Sequence, residues 1–134
     1  MVSITEFPQT PLAEFMGMKF THISAERIEA ELVVRPELAT IPAILHGGAI
    51  MAFADNVGAA GAVVNLPAGA RTATIESKTN FFAAIPVGET ARAESTPLHL
   101  GRTTMVWQTK ITRADGRLCA LVIQTQIVIP AGKN

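Results

Sequence analysis

His46-Gly47-Gly48, followed nine residues after the histidine by Asp55 in a run of small apolar residues, is the grouping in this chain that can do chemistry. Two backbone N–H groups at the start of a helix can hold a developing negative charge. A carboxylate set among Ala, Phe, Val and Met needs a reason to be there, because an unpaired buried charge is costly. Taken alone, Gly47-Gly48 also fits simple backbone relief in a turn, and Asp55 alone fits a satisfied interface carboxylate. Together they point to hydrolysis of an activated acyl group.

The spacing carries a second implication. Eight residues separate Gly47 from Asp55, which along one helix is about 12 Å at 1.5 Å per residue. A hydrolytic site needs its nucleophile or base and its oxyanion donor within about 3 Å of the same reacting group. One chain does not easily bring both to a point, whereas two chains with antiparallel helices do. An obligate homodimer with two shared sites is expected.

Elements to position these residues can be read along the chain. Thr10 and Pro11 look like an N-cap and first helical position ahead of a short turn, 12–16. Residues 27–34 alternate charged and apolar side chains as a half-buried strand does, and 19–24 pairs with them as the first arm of a hairpin. Residues 35–45, with Pro36 and Pro42, form an irregular loop that delivers the chain to His46. The helix then runs from Gly47 until Leu66-Pro67-Ala68-Gly69 stops it. Its length matches a membrane span, but Asp55 and Asn56 at its centre favour a helix buried in protein. Gly58 and Gly61 cost on the order of 1 kcal/mol each relative to Ala, so something large is expected to pack closely on that face. Extended runs follow at 72–82, 89–100, 103–113 and 117–129. Gly101-Arg102 reads as a two-residue hairpin loop, and Asp115-Gly116 is the strongest hairpin signal. Met105, Trp107, Thr109 and Ile111 should share one face. One long helix against a meandering antiparallel sheet is an α+β layer architecture.

Composition narrows the function classes. At 134 residues the chain reads as one domain with a proper core. Hydrophobic residues make up 49% and charged residues 16%, which argues against disorder and suggests surface covered by a partner subunit. Eleven basic and eleven acidic residues cancel, leaving no electrostatic case for nucleic acid or an anionic membrane. The single cysteine, Cys119, excludes an intrachain disulfide, and the histidines at 22, 46 and 99 lack paired metal-ligand spacing, so neither a metal nor a cofactor is implied. The N-terminus shows no basic start and apolar run of an export signal, and a cytoplasmic protein is the default.

The segment His46-Gly47-Gly48-Ala49-Ile50-Met51-Ala52-Phe53-Ala54-Asp55-Asn56-Val57-Gly58, with Pro86-Val87-Gly88-Glu89, Gly101-Arg102-Thr103 and Asp115-Gly116-Arg117-Leu118-Cys119-Ala120 downstream, resembles the hotdog-fold acyl-CoA thioesterases, specifically the phenylacetate-degradation type. The resemblance covers roughly residues 19 to 129. It implies a hotdog fold, a long central helix wrapped by a curved antiparallel β-sheet, with residues 1–134 as a single domain. It also implies acyl-CoA as substrate, no cofactor, and a homodimer, with the choice between homodimer and homotetramer left open.

By resemblance the Gly47 N–H polarises the thioester carbonyl, beside Gly48, and Asp55 acts as base or nucleophile. A hydroxyl on the strand after the helix orients the water: Thr74 matches best, with Thr72 the alternative. His46 belongs to the site as the residue that fixes the loop rather than as an acid or base. Thr40 stands where the family commonly has Asn or Gln. Ile44, Leu45, Met51, Phe53 and Phe81 suggest an apolar acyl pocket. Arg102, with Arg113, Arg117 and Lys78, is a candidate for the coenzyme A phosphates. Two rivals keep the same fold: a non-hydrolytic binder of acyl-CoA or another apolar ligand, which the Thr40 departure favours, and a dehydratase, which the placement of the acid disfavours.

Overall fold

The computed structural model describes residues 2–132. A short helix α1 (Pro11–Met16) is capped as its sequence suggests, with the Thr10 hydroxyl accepting from the Ala13 N–H at 3.0 Å and Pro11 in the first turn. Strands β1 (Lys19–Ile23) and β2 (Ile28–Val33) form the expected hairpin.

The stretch read as an irregular loop has more order than its two prolines suggest. A 3-10 turn, Pro36–Leu38, leads into a small ladder of β3 (Ala39–Thr40) and β4 (Ile44–Leu45). Ala43 closes that ladder at φ 66°, with its N–H on the Thr40 carbonyl. A left-handed alanine costs on the order of 1–2 kcal/mol. The turn aims the next residues: Leu45 N–H donates to Ile85 O and His46 N–H to Leu38 O. His46 therefore enters the helix from a fixed direction.

Helix α2 (Gly47–Val64) is followed by β5 (Arg71–Phe81), β6 (Thr90–Leu100), β7 (Thr104–Thr112) and β8 (Leu118–Ile129). These and the first hairpin make one antiparallel sheet in the order β1-β2-β6-β7-β8-β5. The β7–β8 turn falls where Asp115-Gly116 predicts, with Gly116 at φ 85°. The β6–β7 turn lies one residue further on than the sequence suggests: Gly101 pairs with Thr104, and Arg102 and Thr103 form the loop.

The long helix lies across this sheet and packs on β2, β5, β6, β7 and β8. It buries Ile50, Phe53, Ala54, Val57, Gly58, Ala60, Gly61 and Ala62, so the apolar run that matches a membrane span in length is a helix packed on the sheet. Met105, Trp107, Thr109 and Ile111 all point into this core. The close approach expected at the helical glycines has named partners. A Cβ on Gly61 would sit 2.6 Å from the Trp107 ring, and one on Gly58 would sit 2.1 Å from Gln124 Oε1.

Candidate active site

His46 is the N-cap of α2. Its Nδ1 accepts the Gly48 N–H at 2.8 Å, which satisfies one of the orphan donors of a helix start. This corrects the expectation of two free N–H groups, since Gly48 spends its own on the histidine. The Gly47 N–H is left without a hydrogen bond among the described residues. It opens on a cavity of about 380 Å³ lined by Thr40, Ile44, Leu45, Gly47, Ile50 and Phe81, among others. Phe81 lies over the glycine, 3.3 Å from where a Cβ would stand.

Asp55 lies two turns along the same helix and is half-buried. Its Oδ1 accepts from the Thr74 hydroxyl at 2.7 Å and from Gln124 Nε2 at 3.2 Å. Its Oδ2 has no protein partner among the described residues. Thr74, rather than Thr72, meets the acid. Two residues away, the Thr72 hydroxyl faces Ile127 O at 2.8 Å and Gln126 Oε1 at 3.0 Å instead, sharing its one proton between them. A register shift between Thr74 and Glu76 marks a bulge in β5 at this point, and bulges commonly re-aim a side chain beside a functional site.

Gln124 and Gln126 are site residues that sequence reasoning missed. Both are fully buried on β8. Gln126 Nε2 donates to Thr74 Oγ1 at 2.6 Å, and Gln124 reaches Asp55 through the space that Gly58 leaves. The available signal was two glutamines at alternate positions, in step with Ala120, Val122 and Val128.

One expected pocket residue, Phe53, lies elsewhere, and the coenzyme A candidate Arg102 stands apart from the Gly47 cavity. Phe53 has no exposed surface and is part of the core, because its position on α2 points at the sheet. Arg102 sits in the β6–β7 turn near Ile127, whereas Phe81 is paired with Ala120 at the other end of β8. Seven residues of strand, about 23 Å, separate them, so Arg102 does not line the Gly47 cavity of its own chain. Arg113 is held locally, donating to Asp115 and to Ala84 O. A second cavity, about 250 Å³ and largely apolar, lies between α2 and the chain segment around α1 and β1. Asn56, Ala59, Ala60 and Val63 form its floor, and Phe7, Met18 and Phe20 form part of its wall.

The chain and its fold have known counterparts. A model of the thioesterase superfamily matches residues 43–120. The chain is 30% identical over 105 residues to 1,4-dihydroxy-2-naphthoyl-CoA hydrolase of Escherichia coli, covering 78% of this chain and 76% of that one. It is 29% identical over 108 residues to the proofreading thioesterase EntH of Cronobacter turicensis, covering 81% and 78%. Among solved structures, AziG of S. sahachiroi superposes with a TM-score of 0.86 at 30% identity, covering 91% of this chain and 98% of that one. PaaI of E. coli, from the phenylacetic acid degradation operon, gives 0.84 at 18% identity over 91% and 86%, a likeness of fold. The chain belongs to the thioesterase superfamily. Its fold is the hotdog fold, and its chemistry is thioester hydrolysis.

Proposed function

We propose that this protein is an acyl-CoA thioesterase whose active sites are shared across a homodimer. The Gly47 N–H of one subunit receives the thioester oxygen, and Asp55 of the partner subunit takes a proton from the attacking water. Collapse of the tetrahedral intermediate expels the thiolate of coenzyme A, which recovers the proton. Thr74 holds the acid from one side and leaves its Oδ2 for the water.

The observation that carries this reading is the separation of the two groups. The free N–H and the acid stand on one continuous helix, about 12 Å apart by helix rise, each finished with its own supporting contacts. Among the described residues, strand β5, which carries Thr74, has a neighbour only on its β8 side, and its unpaired edge invites a second strand. Met51, Val63, Ile75, Phe81 and Phe82 are exposed around α2 and this edge, which supports a covering subunit.

Antiparallel packing of two α2 helices sets the Gly47 cavity of one chain against Asp55 of the other. The acyl group then extends into the apolar cavity floored by Asn56, Ala59 and Ala60. Its volume exceeds the roughly 150 Å³ that accommodates benzene, which fits an aryl or medium-length acyl chain.

The test is release of free thiol from a panel of acyl-CoAs by the wild type and by Asp55→Asn. Loss of a general base lowers kcat by about 10²–10⁴, with KM little changed. Binding without thiol release by the wild type favours a non-hydrolytic carrier, the reading that Thr40 in the cavity wall would support.

A further inference from the structure

Gln126 is a large polar side chain with no exposed surface, on a strand face it shares with Ala120, Val122, Gln124 and Val128. A buried amide is costly unless its ends find partners, and here each end faces a threonine hydroxyl. Its Nε2 donates to Thr74 Oγ1 at 2.6 Å, and its Oε1 lies 3.0 Å from Thr72 Oγ1, whose single proton is shared with Ile127 O at 2.8 Å. The chain of bonds ends on Asp55, where Thr74 donates to Oδ1 at 2.7 Å.

The direction of every bond follows from that end. An ionised carboxylate only accepts, so Thr74 must donate to it. A hydroxyl has one proton, so Thr74 can then only accept from Gln126, which must present its NH₂ to Thr74 and its carbonyl to Thr72. Gln126 thereby removes the alternative in which the Thr74 proton turns inward. With Gln124 Nε2 on the same oxygen at 3.2 Å, Oδ1 is fully engaged and Oδ2 is the lobe left for chemistry.

We propose that Gln126 is a positioning residue of the thioesterase reaction: it acts through Thr74 to hold Asp55 in one rotamer, with Oδ2 as the working oxygen. This rests on the reading of Asp55 as the base. Gln126 touches neither substrate nor water, and its effect is confined to the catalytic step.

The test uses Gln126→Leu, Gln126→Glu, Thr74→Val, Thr74→Ser and the double variant Gln126→Leu/Thr74→Val, each in the full chain. Thiol release gives kcat and KM, and thermal unfolding gives Tm. Thr74→Val should lose about ten- to a hundredfold in kcat, the range for a hydrogen bond to a charged group, and Thr74→Ser should restore it. Gln126→Leu should lose about three- to tenfold in kcat on the same reasoning, with KM unchanged. Its Tm should be unchanged or raised, because an apolar side chain suits the neighbours and both threonine hydroxyls retain other partners. The double variant should be no slower than Thr74→Val alone, since Gln126 has no other route to Asp55. Gln126→Glu keeps the shape but removes the donor, and should also be slow, which covers the case in which Leu fails to fold.

Unchanged kcat in both folded Gln126 variants overturns the proposal, as does a lowered Tm with kcat intact, or additive losses in the double variant. If Asp55→Asn keeps wild-type kcat, the base reading itself fails and this proposal falls with it. If Asp55→Asn is inactive while the Gln126 variants are normal, only the positioning role fails.

Discussion

The Thr74 hydroxyl donates to Asp55 Oδ1 across 2.7 Å, tying the sheet's edge strand to the middle of the helix that crosses the sheet. Edge strand and helix thus share the one acid that the sequence leaves in an apolar segment. A buried or half-buried carboxylate with one oxygen held and the other open is what general-base chemistry requires.

His46 offers a direct way to separate a structural from a chemical role. Its Nδ1 caps α2 by accepting the Gly48 N–H, and loss of an N-cap typically costs about 1 kcal/mol. His46→Ala should lower stability by about that amount and disturb the Gly47 turn, reducing activity. Asn is a strong N-cap, so His46→Asn should retain most of both. Thermal unfolding and thiol release read the two effects, and a stable but inactive His46→Asn would assign the imidazole a chemical role.

The two helical glycines should fail in different ways. A Cβ on Gly61 meets the Trp107 ring at 2.6 Å, and that ring is fully buried. Overpacking costs about 1–3 kcal/mol, while exchanging Gly for Ala in a helix returns about 1 kcal/mol. Gly61→Ala should therefore be net destabilised, seen as a lower Tm, with kcat retained in the folded protein. Gly58→Ala presses on the Gln124 side-chain amide, whose Nε2 must then leave Asp55. Its main defect should be in kcat.

Cys119 should be silent in the native enzyme. It has no exposed surface, and burial pushes its thiol above the ordinary range. The thiolate is the reactive form, so a thiol reagent should label one cysteine per chain only after denaturation. Thiol appearing in an activity assay then comes from coenzyme A alone, and rapid labelling of the native protein would contradict this packing.

The parts of this molecule that sequence made legible are those with one dominant local cause. Thr10-Pro11 caps a helix, Asp115-Gly116 turns a hairpin, and Gly58 and Gly61 announce close packing. Which large groups pack there, Gln124 and Trp107, depends on the register between distant strands. The glutamines stayed hidden because β8 is apolar on both faces: Leu121, Ile123 and Ile127 alternate with Ala120, Val122 and Val128, so periodicity does not select the inward side. Thr74 is the better match, and Thr72 stays open because both fall on one face of β5 and the length of the loop before the strand is not fixed by sequence. Hydrophobicity alone does not separate Phe53 from the cavity residues, and its helical phase puts it in the core.

The shared site has a direct test in subunit exchange. Gly47→Pro deletes the proposed oxyanion donor, which typically raises the barrier by about 2.7–4 kcal/mol. Proline is favourable at the first helical position. His46 is already extended, at φ −63° and ψ 136°, as a residue before proline should be, and the half-exposed Phe81 can move aside. Circular dichroism checks the fold. Gly47→Pro and Asp55→Asn should each be inactive as homodimers. Mixed at equal input with free exchange, about half the dimers are mixed in a two-fold assembly, and each mixed dimer has one doubly damaged and one intact site. Thiol release should then recover to roughly a quarter of the wild-type rate. No recovery despite demonstrated exchange would contradict the account, placing Gly47 and Asp55 in the same site of one chain or in no common site.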